Sequence, residues 1–128
     1  MTKKAKTALI SWAPVFIWMA VIFGLSSIPG KDIPDIGIEG LDKIAHMVEY
    51  GILGFLLIRA FLKSRNDPAG SNINLAGMII LSIIIASVYG ITDEWHQGFV
   101  PGRTPDFLDL LADFAGLNIG IFLYRRKG

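Results

Sequence analysis

The side chains able to do chemistry concentrate in two stretches. The segment from Tyr89 to Asp109 holds four carboxylates, Asp93, Glu94, Asp106 and Asp109, together with His96, Gln97 and Arg103. Earlier, Asp42, His46 and Tyr50 recur every four residues, so on a helix they stack on one face. A third polar stripe, Asp106, Asp109 and Asp113, follows the i, i+3, i+7 spacing of a helical face. A histidine between a carboxylate and a phenol suits general acid–base work, because the carboxylate orients the imidazole. The adjacent acids Asp93 and Glu94 can take different protonation roles, and Arg103 suits a phosphate or carboxylate gripped by its planar fork. The candidate catalytic residues are therefore His46, Asp93, Glu94 and Asp109. The candidate ligand-binding set is Asp42, Lys43, His46, Tyr50, Asp93, Glu94, Gln97, Arg103, Asp109 and Asp113.

Other chemistries draw on the same residues. Nitrogen and oxygen donors from His46 with Glu49, Asp93 with Glu94, and Asp109 with Asp113 would admit a divalent cation. No zincin-type pair of histidines exists, since His46 and His96 lie in different segments, and no cofactor is predicted. Ser26 and Ser27 offer hydroxyls, but Ser-Ser-Ile-Pro reads first as a helix terminus. His96 reads equally as an interfacial residue. A purely structural account also stands: polar side chains glue membrane helices together, with Arg103 pairing Asp109 and Lys43 pairing Glu39 or Asp93. Nothing in the spacing chooses between these.

The elements that must position these groups are apolar. Only 18% of the 128 residues are charged, against about 25% in a soluble domain, and the apolar residues form four long runs. Each run approaches the roughly 17–25 residues that cross a bilayer. The spans predicted are about 7–27, 41–62, 73–91 and 106–124, in a single domain over 1–128. The fold class predicted is all-α: a polytopic membrane protein built as a four-transmembrane-helix bundle. The first run exceeds the roughly 7–15-residue core of a signal peptide, so it reads as a retained anchor. Pro14 is expected to kink it. The strand-like run Met78 to Ala86 is too long for a strand and reads as a membrane helix. The run Asn66-Asp67-Pro68-Ala69-Gly70-Ser71-Asn72 is a turn signal. Ala112, Gly116 and Gly120 form a small-residue ladder that allows another helix to approach closely. With a net charge of +1, nucleic acid is not an expected partner, and the absence of cysteine excludes disulfides and thiolate chemistry.

Charge sets the expected orientation. Lys3, Lys4, Lys6, Arg59, Lys63, Arg65, Arg125, Arg126 and Lys127 fall on the side of the termini, and only Lys31, Lys43 and Arg103 on the other. The positive-inside rule then places both termini in the cytoplasm. The three polar stripes come together at the outer ends of the helices.

The order of short motifs resembles a known family. Leu25-Ser26-Ser27-Ile28-Pro29 is followed by Asp42-Lys43-x-x-His46-x-x-x-Tyr50-x-x-Leu53, then Asp93-Glu94-x-x-Gln97, Phe99-x-Pro101-Gly102-Arg103, Asp109 and Gly116-x-x-x-Gly120. Over about residues 15–122 this is similar to the VanZ-like family of small bacterial membrane proteins. The resemblance implies a four-helix protein of the bacterial cytoplasmic membrane, and the family's namesake is associated with teicoplanin resistance. The sequence departs from the family pattern at Asp113, where an asparagine is usual, which adds an acid to the cluster. Two functions are expected to compete. In one, the outer cluster binds or modifies a lipid-linked or cell-wall-related ligand and affects (lipo)glycopeptide susceptibility. In the other, the cluster is structural glue in a non-enzymatic helper that docks onto other membrane proteins, with Ala112, Gly116 and Gly120 as its docking ridge.

Overall fold

The structure is a computed structural model that describes residues 1–65 and 73–127. It is all-α: α1 (Lys3–Ser26), a short 3-10 turn (Gly30–Asp32), α2 (Leu41–Arg65), α3 (Leu75–Gln97) and α4 (Phe107–Lys127). Each of the four α-helices is long and apolar enough to cross a membrane. The turn predicted at residues 66–72 lies outside the described residues.

The pattern of burial is that of a bundle in lipid. Phe16, Ile17, Val48, Ile80, Ile84, Val88, Phe114 and Phe122 face outward, whereas Ser11, Ser26, His46, Ser82, Asp93, Glu94, Gln97, Asp109 and Asp113 are buried. In water this arrangement would forfeit the hydrophobic driving force. In a bilayer the outward apolar faces meet acyl chains, and the polar groups satisfy one another inside. The chain forms a multi-pass membrane protein.

Local signals place the helix ends. Thr2 Oγ1 accepts from the Ala5 amide at 3.1 Å, and Asn74 Oδ1 from the Gly77 amide at 2.8 Å; both are N-caps. Pro14 lies inside α1, which continues without a break from Lys3 to Ser26. The largest difference from expectation is in α3. The sequence suggests a membrane span ending near residue 91, yet the helix runs to Gln97 and is closed by Gly98. The physical reason is periodicity: Gly90, Asp93, Glu94 and Gln97 are all buried, at i, i+3, i+4 and i+7. Their polar character masks a helical face that points into the bundle. The true break comes at Gly98, Pro101 and Gly102.

α2 and α4 pack most closely, and glycine makes this possible. A Cβ on Gly116 would lie 2.2 Å from the Met47 carbonyl oxygen, one on Gly120 1.9 Å from that of Gly51, and one on Gly54 2.3 Å from that of Leu117. The ladder Gly116–Gly120 is therefore filled by α2 of the same chain. This corrects its reading as a docking ridge: close approach is consumed within the bundle. Long-range side-chain bonds add the other helices. Trp18 Nε1 of α1 donates to the Glu49 carbonyl at 2.8 Å, and the Tyr89 hydroxyl of α3 donates to the Met19 carbonyl.

Candidate polar site

All ten expected ligand-binding residues gather at one end of the bundle, where α1 and α3 end and α2 and α4 begin. Lys43, in the first turn of α2, is the hub. Its Nζ donates to Asp42 Oδ2 at 2.7 Å, to Asp106 Oδ2 at 2.8 Å and to Asp109 Oδ1 at 2.7 Å. One turn further on, His46 Nδ1 lies 2.7 Å from Asp113 Oδ1, and His46 Nε2 lies 3.7 Å from Asp109 Oδ2. Another turn on, the fully buried Tyr50 hydroxyl donates to Asp93 Oδ2 at 3.3 Å. The stripe Lys43–His46–Tyr50 thus meets Asp109 and Asp113 of α4 and Asp93 of α3. Glu94 Oε2 accepts from the Asp106 amide at 2.8 Å, which ties the end of α3 to the start of α4.

Asp106 precedes α4 and caps it, accepting from the Leu108 amide at 2.9 Å. It lies outside the spanning segments, and its hydrogen bond from the Lys43 ammonium holds its carboxyl below the ordinary value of 3.8. Asp42 is mostly exposed and, among the described residues, pairs only with Lys43. Gln97 and Arg103 border a cleft of about 280 Å³ together with Ser26, Asp42, His46 and Glu49.

Two expected ion pairs are not made. Arg103 does not meet Asp109: its Nε donates to the Ile28 carbonyl at 2.9 Å and its Nη2 to the Leu25 carbonyl at 2.8 Å. The Leu25 carbonyl also accepts from the Ile28 amide at 3.3 Å, and Ile28 follows the end of α1; one guanidinium bonds both carbonyls at once. The Gly30 amide donates to the Pro101 carbonyl at 2.9 Å beside it, and Gly102 adopts a left-handed φ of 76° to allow the approach. Lys43 does not meet Glu39 or Asp93, because Asp106, just before α4, and Asp109, in its first turn, take its ammonium.

Three residues beyond the expected ligand set belong to this end of the bundle: Glu49 and Ser26, which line the cleft, and Asp106, which binds the hub. Asp106 was visible as the first member of the α4 stripe, and Glu49, three residues after His46, was visible as a donor paired with that histidine. Ser27 behaves as a helix terminus. Its hydroxyl donates to the Phe23 carbonyl at 2.7 Å and lies 2.9 Å from His96 Nε2. His96 stacks on Phe23 with ring centroids 4.4 Å apart, so it joins α3 to α1 outside the cluster.

Comparison with known families now adds to the geometry. The VanZ/LLP1 family model matches residues 7–127, nearly the whole chain. The chain belongs to the VanZ/LLP1 family. No curated protein and no solved structure gives a significant match. In this VanZ/LLP1 protein Asp113 has a visible role, because its carboxylate takes the Nδ1 side of His46. The site also carries an imbalance. Four acids, Asp93, Glu94, Asp109 and Asp113, are buried, and the only buried basic residue among the described residues is His46.

Proposed function

We propose that this VanZ/LLP1 protein sits in the bacterial cytoplasmic membrane with both termini in the cytoplasm. Its polar end then faces outward and binds a lipid-linked or cell-wall-related ligand, and binding shifts susceptibility to (lipo)glycopeptides. The observation that carries this reading is the cleft beside the network. Arg103 supplies a positive side suited to a phosphate or carboxylate, and Asp42 and Glu49 supply a negative side suited to an amine. The charge bias of the termini supports the orientation.

The test uses cleft residues that hold no helix in place. Asp42→Asn and Glu49→Gln are expressed beside the wild type, and teicoplanin susceptibility is measured with the thermal stability of each purified protein. The reading expects the susceptibility shift to disappear at unchanged stability. It fails if the wild-type protein produces no shift, or if both variants act as the wild type does. Single cysteines at Glu39 and Ser71 report orientation, since no native cysteine interferes. Labelling of position 71 from outside would reverse it.

A second reading is favoured by the closure of the Lys43 network on itself. Here the cluster is glue, and the protein is a non-enzymatic helper that docks onto a larger membrane complex. Unfolding of His46→Ala, Asp93→Asn and Asp109→Asn together with intact susceptibility in Asp42→Asn and Glu49→Gln would favour it.

A further inference from the structure

Three side chains of the network converge from different helices. One donor atom each from His46, Glu94 and Asp109 falls within 4.8 Å of the other two, and all three residues are buried. They come from α2, α3 and α4, so the grouping is tertiary and invisible in any local motif. The His46 Nε2 to Asp109 Oδ2 separation of 3.7 Å is too long for a hydrogen bond. It is close to the edge of a coordination polyhedron: donors about 2.1 Å from a tetrahedral ion stand roughly 3.4 Å apart.

Each donor has its other atom already occupied. His46 Nδ1 faces Asp113 Oδ1 at 2.7 Å, and a neutral imidazole that donates there carries its lone pair on Nε2. Asp109 gives Oδ1 to Lys43, which leaves Oδ2 toward His46. Glu94 gives Oε2 to the Asp106 amide, and its Oε1 is buried without a hydrogen-bond partner. Glu94 is 95% buried, since its exposure is 5%, so an unpartnered carboxylate oxygen there carries a real cost. Asp113 standing behind His46 is the carboxylate–histidine arrangement that fixes and strengthens a metal-binding imidazole.

We propose that His46 Nε2, Glu94 and Asp109 Oδ2 bind one divalent transition ion of the zinc or manganese class, with Asp113 as the positioning residue for His46. One imidazole and two carboxylates suit these ions, and the charge of +2 balances the two acids. Three protein ligands leave a coordination position for water or a ligand group. His46 belongs both to this triad and to the cleft wall, which sets the ion within one imidazole of the cleft. The site goes beyond the ligand-binding reading above and does not depend on it.

The experiment uses the purified full chain in detergent, stripped with chelator. Zn²⁺ and Mn²⁺ are titrated by calorimetry, with Mg²⁺ as the reference ion and Asp35→Asn as the reference variant. The expected result is one ion per chain, a higher melting temperature with the ion, and affinity lowered by at least about tenfold in Glu94→Gln and Asp109→Asn. Asp113→Asn should weaken binding by about 10–100-fold. Glu49→Gln, the cleft variant, should bind the ion as the wild type does, so failure here is separable from failure of the ligand reading. Pulsed paramagnetic resonance of the Mn²⁺-loaded wild type should show imidazole nitrogen coupling, and this readout needs no variant to fold. Absence of stoichiometric binding, absence of that coupling, or binding unchanged in both acid variants overturns the proposal.

Discussion

Gly116→Ala joins helix packing to the polar site. The new Cβ would stand 2.2 Å from the Met47 carbonyl oxygen and 2.8 Å from its carbonyl carbon, both backbone atoms that cannot swing away. An ordinary C···O contact is roughly 3.3 Å, so α2 and α4 must separate there by about 1 Å. Asp113 lies one turn before Gly116, and Lys43 and His46 lie one turn or less before Met47. The same movement stretches the His46–Asp113 and Lys43–Asp109 contacts, each 2.7 Å, past hydrogen-bond range. Overpacking costs about 1–3 kcal/mol and each of the two lost charged hydrogen bonds about 1.5–3 kcal/mol, so a total of about 4–9 kcal/mol is expected. The assay is equilibrium unfolding in detergent followed by tryptophan fluorescence, with Gly24→Ala as the reference. Gly24 sits within α1 with nothing within 4 Å of an added Cβ, so that change should be neutral or slightly stabilising. Should Gly116→Ala unfold at the same point as Gly24→Ala, the argument that glycine contact sets the site geometry is wrong.

Other changes probe single contacts. Arg103→Lys keeps the charge but reaches only one of the carbonyls of Leu25 and Ile28; it should cost about 1–2 kcal/mol, and hydrogen exchange should rise where α1 ends. In chelator-treated protein, Asp113→Asn keeps an acceptor for His46 and should change stability by less than about 1 kcal/mol, whereas Asp113→Leu strands the imidazole and should cost about 1–3 kcal/mol. Because Lys43 lowers the Asp106 carboxyl, its contribution to stability is complete above 3.8 and is lost as pH falls through the lower folded value; in Lys43→Met its titration by NMR should move up.

The sequence by itself determined the class of the molecule and most of the membership of the site. Four apolar runs of spanning length admit little but membrane helices, because backbone polar groups in a bilayer must be paired within the segment. The spacing of Asp42, His46 and Tyr50, and that of Asp106, Asp109 and Asp113, marked helical faces, since a period near 3.6 is readable from one chain. The inward face of α3 beyond Ile91 was harder to read, because Asp93, Glu94 and Gln97 are polar and polarity alone resembles a loop. Only the tertiary structure decided the partners. Lys43 joins Asp109 across 66 residues of sequence and His46 joins Asp113 across 67, and those pairings depend on the rotation of each helix and on how near α2 and α4 come. Charge sign alone would equally have paired Arg103 with Asp109. The distance between helices is set by glycines against backbone, and the Leu25 and Ile28 carbonyls where α1 ends drew Arg103 away, and neither of these can be read from one segment alone.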